Sequence, residues 1–293
     1  MVRPRKDYCE FDPVHPKLGS IRAVVVDNLL RDVSDLSPTA EQEPDYDPEA
    51  WIKEERYIAG LAVGNIAQNV RRLVRHAYVQ ILHLSEFTES ALRRAAPDAI
   101  ILSGTLRDFD LYHPDLLTNF RHVLPRLRVP ILGICGGHQL IGWSYGVPVL
   151  TLDRRDPRAQ RTHRLREYEY GFVQVTDATD PIFHGLDQRR RPWFKLVKNQ
   201  THPYLRVWQN HALMLPHLPP GFVRLAKGHR CANQMMVLRS EHQLIYTVQF
   251  HIEKSFEDWN KLPSRWEHPN ESRDGRLIFE NFLAEALKHR GRL

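Results

Sequence analysis

The chain has 293 residues, 42% of them hydrophobic, and its 41 Lys and Arg against 35 Asp and Glu leave a net charge of +6. A chain this long buries about 75% of its unfolded surface, so it needs no disulfide or metal staple; at roughly 150 residues per domain it is two domains or one enlarged α/β unit. The charge excess is too small to imply nucleic acid, no run approaches the roughly 18 apolar residues of a membrane helix, and residues 1–13 lack an apolar signal core, so neither membrane insertion nor secretion is expected.

Residues 1–20 read as an N-terminal arm and 21–293 as a single domain. Residues 21–27 (IRAVVVD) are apolar and β-branched, the pattern of a buried first strand. The acidic stretch 31–50, with Pro38, Pro44 and Pro48, suits a long surface loop. From 51 to 76, Ile58, Ala62, Ile66, Val70 and Val74 recur every four residues, with Leu61 and Leu73 on the same face, which predicts a helix weakened by Gly60 and Gly64. Residues 78–84 alternate as a strand, 86–95 read as helix, and 99–102 as a buried strand ending at Ser103-Gly104. A helix over 115–127 follows, then a strand over 129–134 that runs into Cys135-Gly136-Gly137.

Such alternation builds a mostly parallel sheet with helices on both faces. After Val147 short β-like runs at 172–175, 205–208, 222–226, 235–239 and 244–250 dominate, and a helix over 275–288 closes the chain. The expected class is α/β with a smaller β-rich segment in the C-terminal half.

The positive charge is local. Arg154, Arg155, Arg158, Arg161, Arg164 and Arg166 crowd one stretch and Arg189, Arg190 and Arg191 another, so each is either a solvated loop or a surface for an acidic partner or phosphate. Cys9, Cys135 and Cys231 are odd in number and lack CxxC spacing, which fits a reducing cytoplasm and excludes a disulfide framework or zinc ribbon. The 16 histidines contain no His-Glu-x-x-His, and no phosphate-binding Gly-x-x-x-x-Gly-Lys-Ser/Thr occurs, so no metal, no ATP and no other cofactor is expected.

Cys135 sits between an apolar strand and a helical stretch, flanked by Gly133, Gly136 and Gly137. This is the setting of a nucleophile elbow: glycines permit the sharp turn, and free N–H groups at the helix start favour thiolate. A lone buried cysteine is ordinarily a small apolar filler; the glycine frame argues otherwise. A thiolate needs a base and a group to orient it. His251 and Glu253 end a β-like run, and residues two apart on extended chain project together, which supplies an imidazole backed by a carboxylate.

With these two motifs the sequence resembles the class I (triad-type) glutamine amidotransferases, whose Gly-x-Cys-x-Gly-x-Gln elbow is met by Gly133, Cys135, Gly137 and Gln139, and whose Gln-Phe-His-Pro-Glu motif is met by Gln249, Phe250, His251 and Glu253. The likeness runs from Ile21 to Leu293, with further matches at Asp180-Pro181-Ile182-Phe183-His184-Gly185-Leu186, Gln209-Asn210-His211 and Leu218-Pro219-Pro220-Gly221-Phe222. It implies a flavodoxin-like fold and glutamine hydrolysis through a γ-glutamyl thioester on Cys135, with His251 as proton carrier and Glu253 holding its ring. It also implies that Gly136 N–H donates to the oxyanion, that Gln139, Asn210, Ala212 and Leu213 cradle the substrate, and that ammonia passes to a synthase, here in trans.

The departures from that family bear on the rest of the oxyanion hole and on the substrate. The glycine-rich oxyanion loop becomes Ser103-Gly104-Thr105-Leu106-Arg107, in which Gly104 and Thr105 are the candidate elements; the proline of the closing motif is Ile252, and Ala212 follows Gln-Asn-His. The charged, aromatic insertion over 254–273 is similar to that of γ-glutamyl hydrolases, so a γ-glutamyl hydrolase or peptidase is one alternative, and a non-catalytic binding protein on the same fold is another. The arginines of 154–166 and the 254–273 insertion are the candidate docking surfaces for a synthase.

Overall fold

The computed structural model describes residues 16–186, 202–254 and 273–293. β1 (Leu18–Asp27) pairs in parallel with β2 (Val74–His83) on one side and β3 (Ala99–Leu102) on the other. β4 (Ile131–Ile134) and β11 (Leu244–Val248) extend the parallel half. Beyond β11 the sheet continues antiparallel through β10 (Met235–Arg239), β9 (Val223–Lys227), β6 (Glu167–Val175) and β7 (Tyr204–His211). The order β2-β1-β3-β4-β11-β10-β9-β6-β7 makes nine strands, and β5 (Leu150–Thr151) pairs separately with β8 (Leu213–Met214). This is the mixed α/β architecture expected, with the antiparallel strands in the C-terminal half.

Helices α1 (Pro48–Leu73), α2 (Glu89–Ala95), α3 (Pro114–Val123), α4 (Gly136–Ser144) and α5 (Arg273–His289) cover the sheet. β1 shows why both faces are covered: Ala23 and Val25 enter a core with Ile66 and Val70 of α1 and Phe279 and Phe282 of α5, while Val24 and Val26 enter another with Phe87, Phe120 and Leu140. Period-two alternation in a doubly buried strand thus shows in the sequence as an unbroken apolar run. Among the described residues no helix is long and apolar enough to cross a membrane.

Several boundaries differ from the sequence reading. β1 starts at Leu18, inside the stretch read as an arm, because Leu18 pairs with Val74. The helix expected over 51–76 starts at Pro48, capped by the Asp47 side chain, and stops at Leu73; Val74, the last member of the four-residue repeat, already belongs to β2. The acidic stretch 31–50 is not a bare loop. It holds two 3-10 turns, Val33–Asp35 and Pro38–Gln42, and buries Leu36 and Ala40. Its prolines mislead because Pro38 and Pro48 occupy first positions of helical turns, where a missing N–H costs nothing. The arginines 189–191 and residues 255–272 of the insertion lie outside the described residues.

One buried charge in α1 has a measurable consequence. Glu55 is fully buried; one carboxylate oxygen accepts from Leu30 N–H at 3.1 Å and the other has no hydrogen bond. Burial pushes the Glu55 carboxyl up from 4.5 to about 7, against the opposing pull of the Leu30 N–H and Arg107. A carboxyl with a raised folded value favours folding fully below about 4.5 and loses that contribution as pH climbs towards 7, a loss on the order of 3 kcal/mol. Glu55→Gln, which mimics the protonated form, is expected to match the wild-type melting temperature near pH 5 and exceed it by several degrees at pH 8, as read by thermal denaturation at both values.

Candidate active site

β4 delivers Cys135 to the edge of the sheet's parallel half, and α4 starts at the next residue. Cys135 has φ 50° and ψ −104°, a conformation that side-chain-bearing residues avoid and that surrounding contacts must enforce. Those contacts are Cys135 N–H to Val248 O at 2.8 Å and Gln139 N–H to Cys135 O at 3.1 Å. Gly136 is needed for close approach: a Cβ there would stand 2.5 Å from Thr105 N and 2.2 Å from Thr105 Oγ1. Thr105 therefore packs its backbone nitrogen directly against the residue after Cys135.

His251 follows the end of β11 and is pinned to β7, its N–H donating to Trp208 O at 2.9 Å. Its Nδ1 lies 2.6 Å from Glu253 Oε1, so the two-residue spacing brings the pair together. Asn69, on the last turns of α1, donates to Glu253 O at 2.8 Å and fixes that backbone. Burial pulls the imidazolium down, but the Glu253 carboxylate and Cys135 outweigh it and hold His251 well above the ordinary 6.5. The other ring nitrogen, Nε2, is buried with no well-formed hydrogen bond among the described residues. Cys135 Cβ and His251 Cε1 each lie 3.6 Å from the point where a Cβ on Gly104 would stand, so both border the space that Gly104 leaves open.

A cavity of about 180 Å³ opens onto Cys135, with Thr105 and Gln139 along one side and Asn210, Ala212 and Leu213 along another. The Gln139 amide donates to Leu213 O and to Gln249 Oε1, both at 3.1 Å, and Gln249 Nε2 lies 3.8 Å from Cys135 Sγ. His211 spans Leu213 O and Glu167 Oε2, each at 2.9 Å, which fixes the turn between β7 and β8. Of the residues read from the sequence as site candidates, Thr105, Cys135, Gln139, Asn210, Ala212 and Leu213 line this pocket; Gly136 packs on Thr105, Gly104 stands beside Cys135 and His251, and Glu253 meets His251. Gln249 stands in the sequence only as a motif member, and the signal for its contact with the thiol is its place two residues before His251. Among the described residues no group of three or more His, Cys, Asp or Glu is arranged to hold a metal.

Within the arginine-rich stretch Arg154, Arg155, Arg158 and Arg166 are exposed, and Arg161 and Arg164 are placed differently from the docking surface expected of them. Arg161 and Arg164 fold over the pocket and are largely buried: Arg161 meets Glu43, Asp108 and Asp110 at 2.6–2.7 Å, and Arg164 meets Asp108 at 2.5 Å. Arg155 and Arg158 pair locally with Asp153 and Asp156. Composition could not reveal this, because the partnering carboxylates lie some fifty or more residues upstream. Arg166 also lines the pocket, is exposed, and meets no carboxylate among the described residues.

Comparison with known proteins identifies the family and the fold. The profile of the glutamine amidotransferase class-I family matches residues 62–266. The GMP synthase [glutamine-hydrolyzing] of Ralstonia pickettii (strain 12J) is 31% identical over 193 residues, 64% of this chain and 31% of that protein, so the chain spans about a third of the length of such relatives. Among solved structures, a glutamine amidotransferase from Thermotoga maritima superposes with a TM-score of 0.52 at 16% identity, covering 94% of this chain and 100% of that one. A glutamine amidotransferase from Methylobacillus flagellatus does so with a TM-score of 0.51 at 16% identity, covering 94% and 96%. With the family profile covering well over half of its residues, the chain belongs to the class-I glutamine amidotransferases.

Proposed function

We propose that the chain hydrolyses the side-chain amide of glutamine through a γ-glutamyl thioester on Cys135 and releases ammonia for a synthase acting in trans. The observation that carries this reading is the shared space: Cys135 Cβ and His251 Cε1 both border the gap left by Gly104, and the imidazole is held by Glu253 at 2.6 Å. Cys135 Sγ attacks the amide carbon as His251 takes its proton. The oxyanion is met by the N–H groups of Gly136 and Thr105. Collapse returns the electron pair, breaks the C–N bond, and ammonia leaves with the proton from His251. Water then attacks the thioester, His251 taking its proton, and glutamate departs as the thiol is restored. A cytoplasmic setting belongs to the same proposal, and the glutamine-hydrolyzing relatives support its substrate.

The pocket is smaller than the roughly 300–1,000 Å³ of drug-sized sites, as suits an amino-acid head group. In this reading the carboxylate of that head group meets Arg166, while Arg161 and Arg164 are neutralised by their own partners. A charge-assisted hydrogen bond is worth about 1.5–3 kcal/mol, so Arg166→Ala is expected to raise KM ten- to a hundredfold and leave kcat within a few-fold.

The deciding experiment combines intact mass measurement with product assays. A glutamine-like electrophile is expected to add one equivalent to Cys135 and none to Cys135→Ser; absence of labelling in the wild type would favour a binding protein on this fold. Ammonia released from glutamine, compared with glutamate released from γ-glutamyl peptides, then separates amidotransferase from γ-glutamyl hydrolase.

A further inference from the structure

We infer that Arg107 is a positioning residue which, clasped by one face of α1, sets the oxyanion loop so that Thr105 N–H stays against Gly136. The inference rests on the hydrolase reading above and adds to it how a loop with a single glycine is held in register.

The loop is tied at three points. Upstream, Asn28 Nδ2 donates to Ser103 O at 2.7 Å and Asn28 N–H donates to Ser103 Oγ at 3.0 Å. Downstream, Asp108 is gripped by Arg161 and Arg164. Between these ties lie Gly104, Thr105, Leu106 and Arg107; Leu106 is 40% exposed and the Arg107 side chain 14% exposed, and both border the cavity at Cys135.

Three residues of α1 receive Arg107. Its guanidinium carbon sits 4.0 Å from the Trp51 ring centroid, Nη2 donates to Glu54 Oε2 at 2.9 Å, and Nε lies 3.6 Å from Glu55 Oε1. Trp51, Glu54 and Glu55 stand at i, i+3 and i+4, so one helix face presents an aromatic plane flanked by two carboxylates. A flat guanidinium fills that shape; a lysine ammonium keeps the charge but cannot stack and bridge at once. Arg107 Nε and Glu55 Oε1 are both buried without a hydrogen bond and face each other at 3.6 Å.

Removal of Arg107 releases the loop two residues downstream of Thr105, whose N–H is one of two donors to the developing oxyanion. Loss of one such donor costs about 10²–10³ in kcat, and misplacement costs less.

The test compares Arg107→Gln and Arg107→Lys with the wild type by kcat and KM for glutamine, or for the γ-glutamyl peptide turned over best, and by the rate at which iodoacetamide alkylates Cys135. Iodoacetamide reacts by direct displacement and forms no oxyanion. Arg107→Gln is expected to lower kcat ten- to a hundredfold, to leave KM within about threefold, and to leave the alkylation rate unchanged; Arg107→Lys is expected to recover part of kcat. Unchanged kcat in Arg107→Gln, a loss confined to KM, or an equal fall in kcat and alkylation would overturn the inference while leaving the hydrolase reading intact. Should Arg107→Gln fail to fold, Arg107→Lys carries the same comparison, and full activity there overturns it too. A wild-type protein that turns over neither substrate overturns the hydrolase reading and this inference with it.

Discussion

His251→Ala is expected to lower kcat by roughly 10⁴- to 10⁶-fold, the scale seen when a member of an interdependent nucleophile–base pair is removed. On the proposed reading the imidazole has two tasks, taking the thiol proton and returning it to ammonia; Gln249, 3.8 Å from Sγ, is an amide, and both ring nitrogens of His211 in the pocket wall are engaged by Leu213 and Glu167. Cys135→Ser should fall as far, since a hydroxyl offers no thiolate. Glu253→Gln should cost less, about 10² to 10⁴, because an amide can still contact Nδ1 but withdraws the charge that stabilises the imidazolium.

The two His251 effects are separable by pH. In the wild type, Glu253 and Cys135 together overcome the burial of His251 and raise its value. With Glu253→Gln, burial meets less opposition, so the ascending limb of kcat/KM governed by His251 should move to lower pH as its height falls. Profiles of the two proteins between about pH 5 and 9 check this. A limb that stays in place, or moves up, would show that the carboxylate does not tune the imidazole.

What is legible in the sequence follows contact order. β4 and the glycines around Cys135 are contiguous, so a strand, a sharp turn and a helix start can be read together; His251 and Glu253 need only the two-residue period of extended chain. The clasp on Arg107 is different. Trp51, Glu54 and Glu55 read as one helical face, but nothing local says that a cation more than fifty residues later fills it. The same holds for Arg161 and Arg164, whose meaning changes from surface to pocket wall once Asp108 and Asp110 are folded against them. β6 and β7 run longer than the apolar pattern suggests for a related reason: Tyr168 faces Asn210 and Glu169 faces Gln209 across the ladder, and cross-strand pairing carries polar residues that no apolar alternation announces.

α1 joins both halves of the active site. Near its start it holds the oxyanion loop through Arg107, and towards its end Asn69 holds the backbone of Glu253. Its acidic approach, residues 31–50, reinforces the first of these: Ser37 N–H donates to Leu111 O, Ser37 Oγ to Asp110 O, and Asp35 O accepts from His113 N–H, all on the segment that continues from the oxyanion loop. The stretch that composition marks as a loop is thus a buttress, and its buried Leu36 and Ala40 anchor it to the core.

Gly136→Ala is expected to lower both stability and kcat, and through sterics alone. The added methyl would lie 2.2 Å from Thr105 Oγ1, 2.6 Å from Thr105 Cγ2 and 2.5 Å from Thr105 N. Two of these atoms belong to a β-branched side chain with little rotamer freedom and the third is backbone, so the loop itself must retreat. Retreat is opposed by the ties at Asn28, Arg107 and Asp108, and the overpacking should cost about 1–3 kcal/mol of stability. Displacement of the Thr105 N–H should also cost about 10²–10³ in kcat. Adding Thr105→Gly removes the Oγ1 and Cγ2 clashes but leaves the backbone nitrogen in the way, so the double variant should regain melting temperature without regaining kcat. Gly104→Ala is the contrasting case: its methyl would meet Cys135 and His251 at 3.6 Å, ordinary van der Waals contact, and stability should stay near wild type. If Gly136→Ala keeps full kcat while Gly104→Ala loses stability, the close packing of Thr105 on Gly136 is not what forms the oxyanion site.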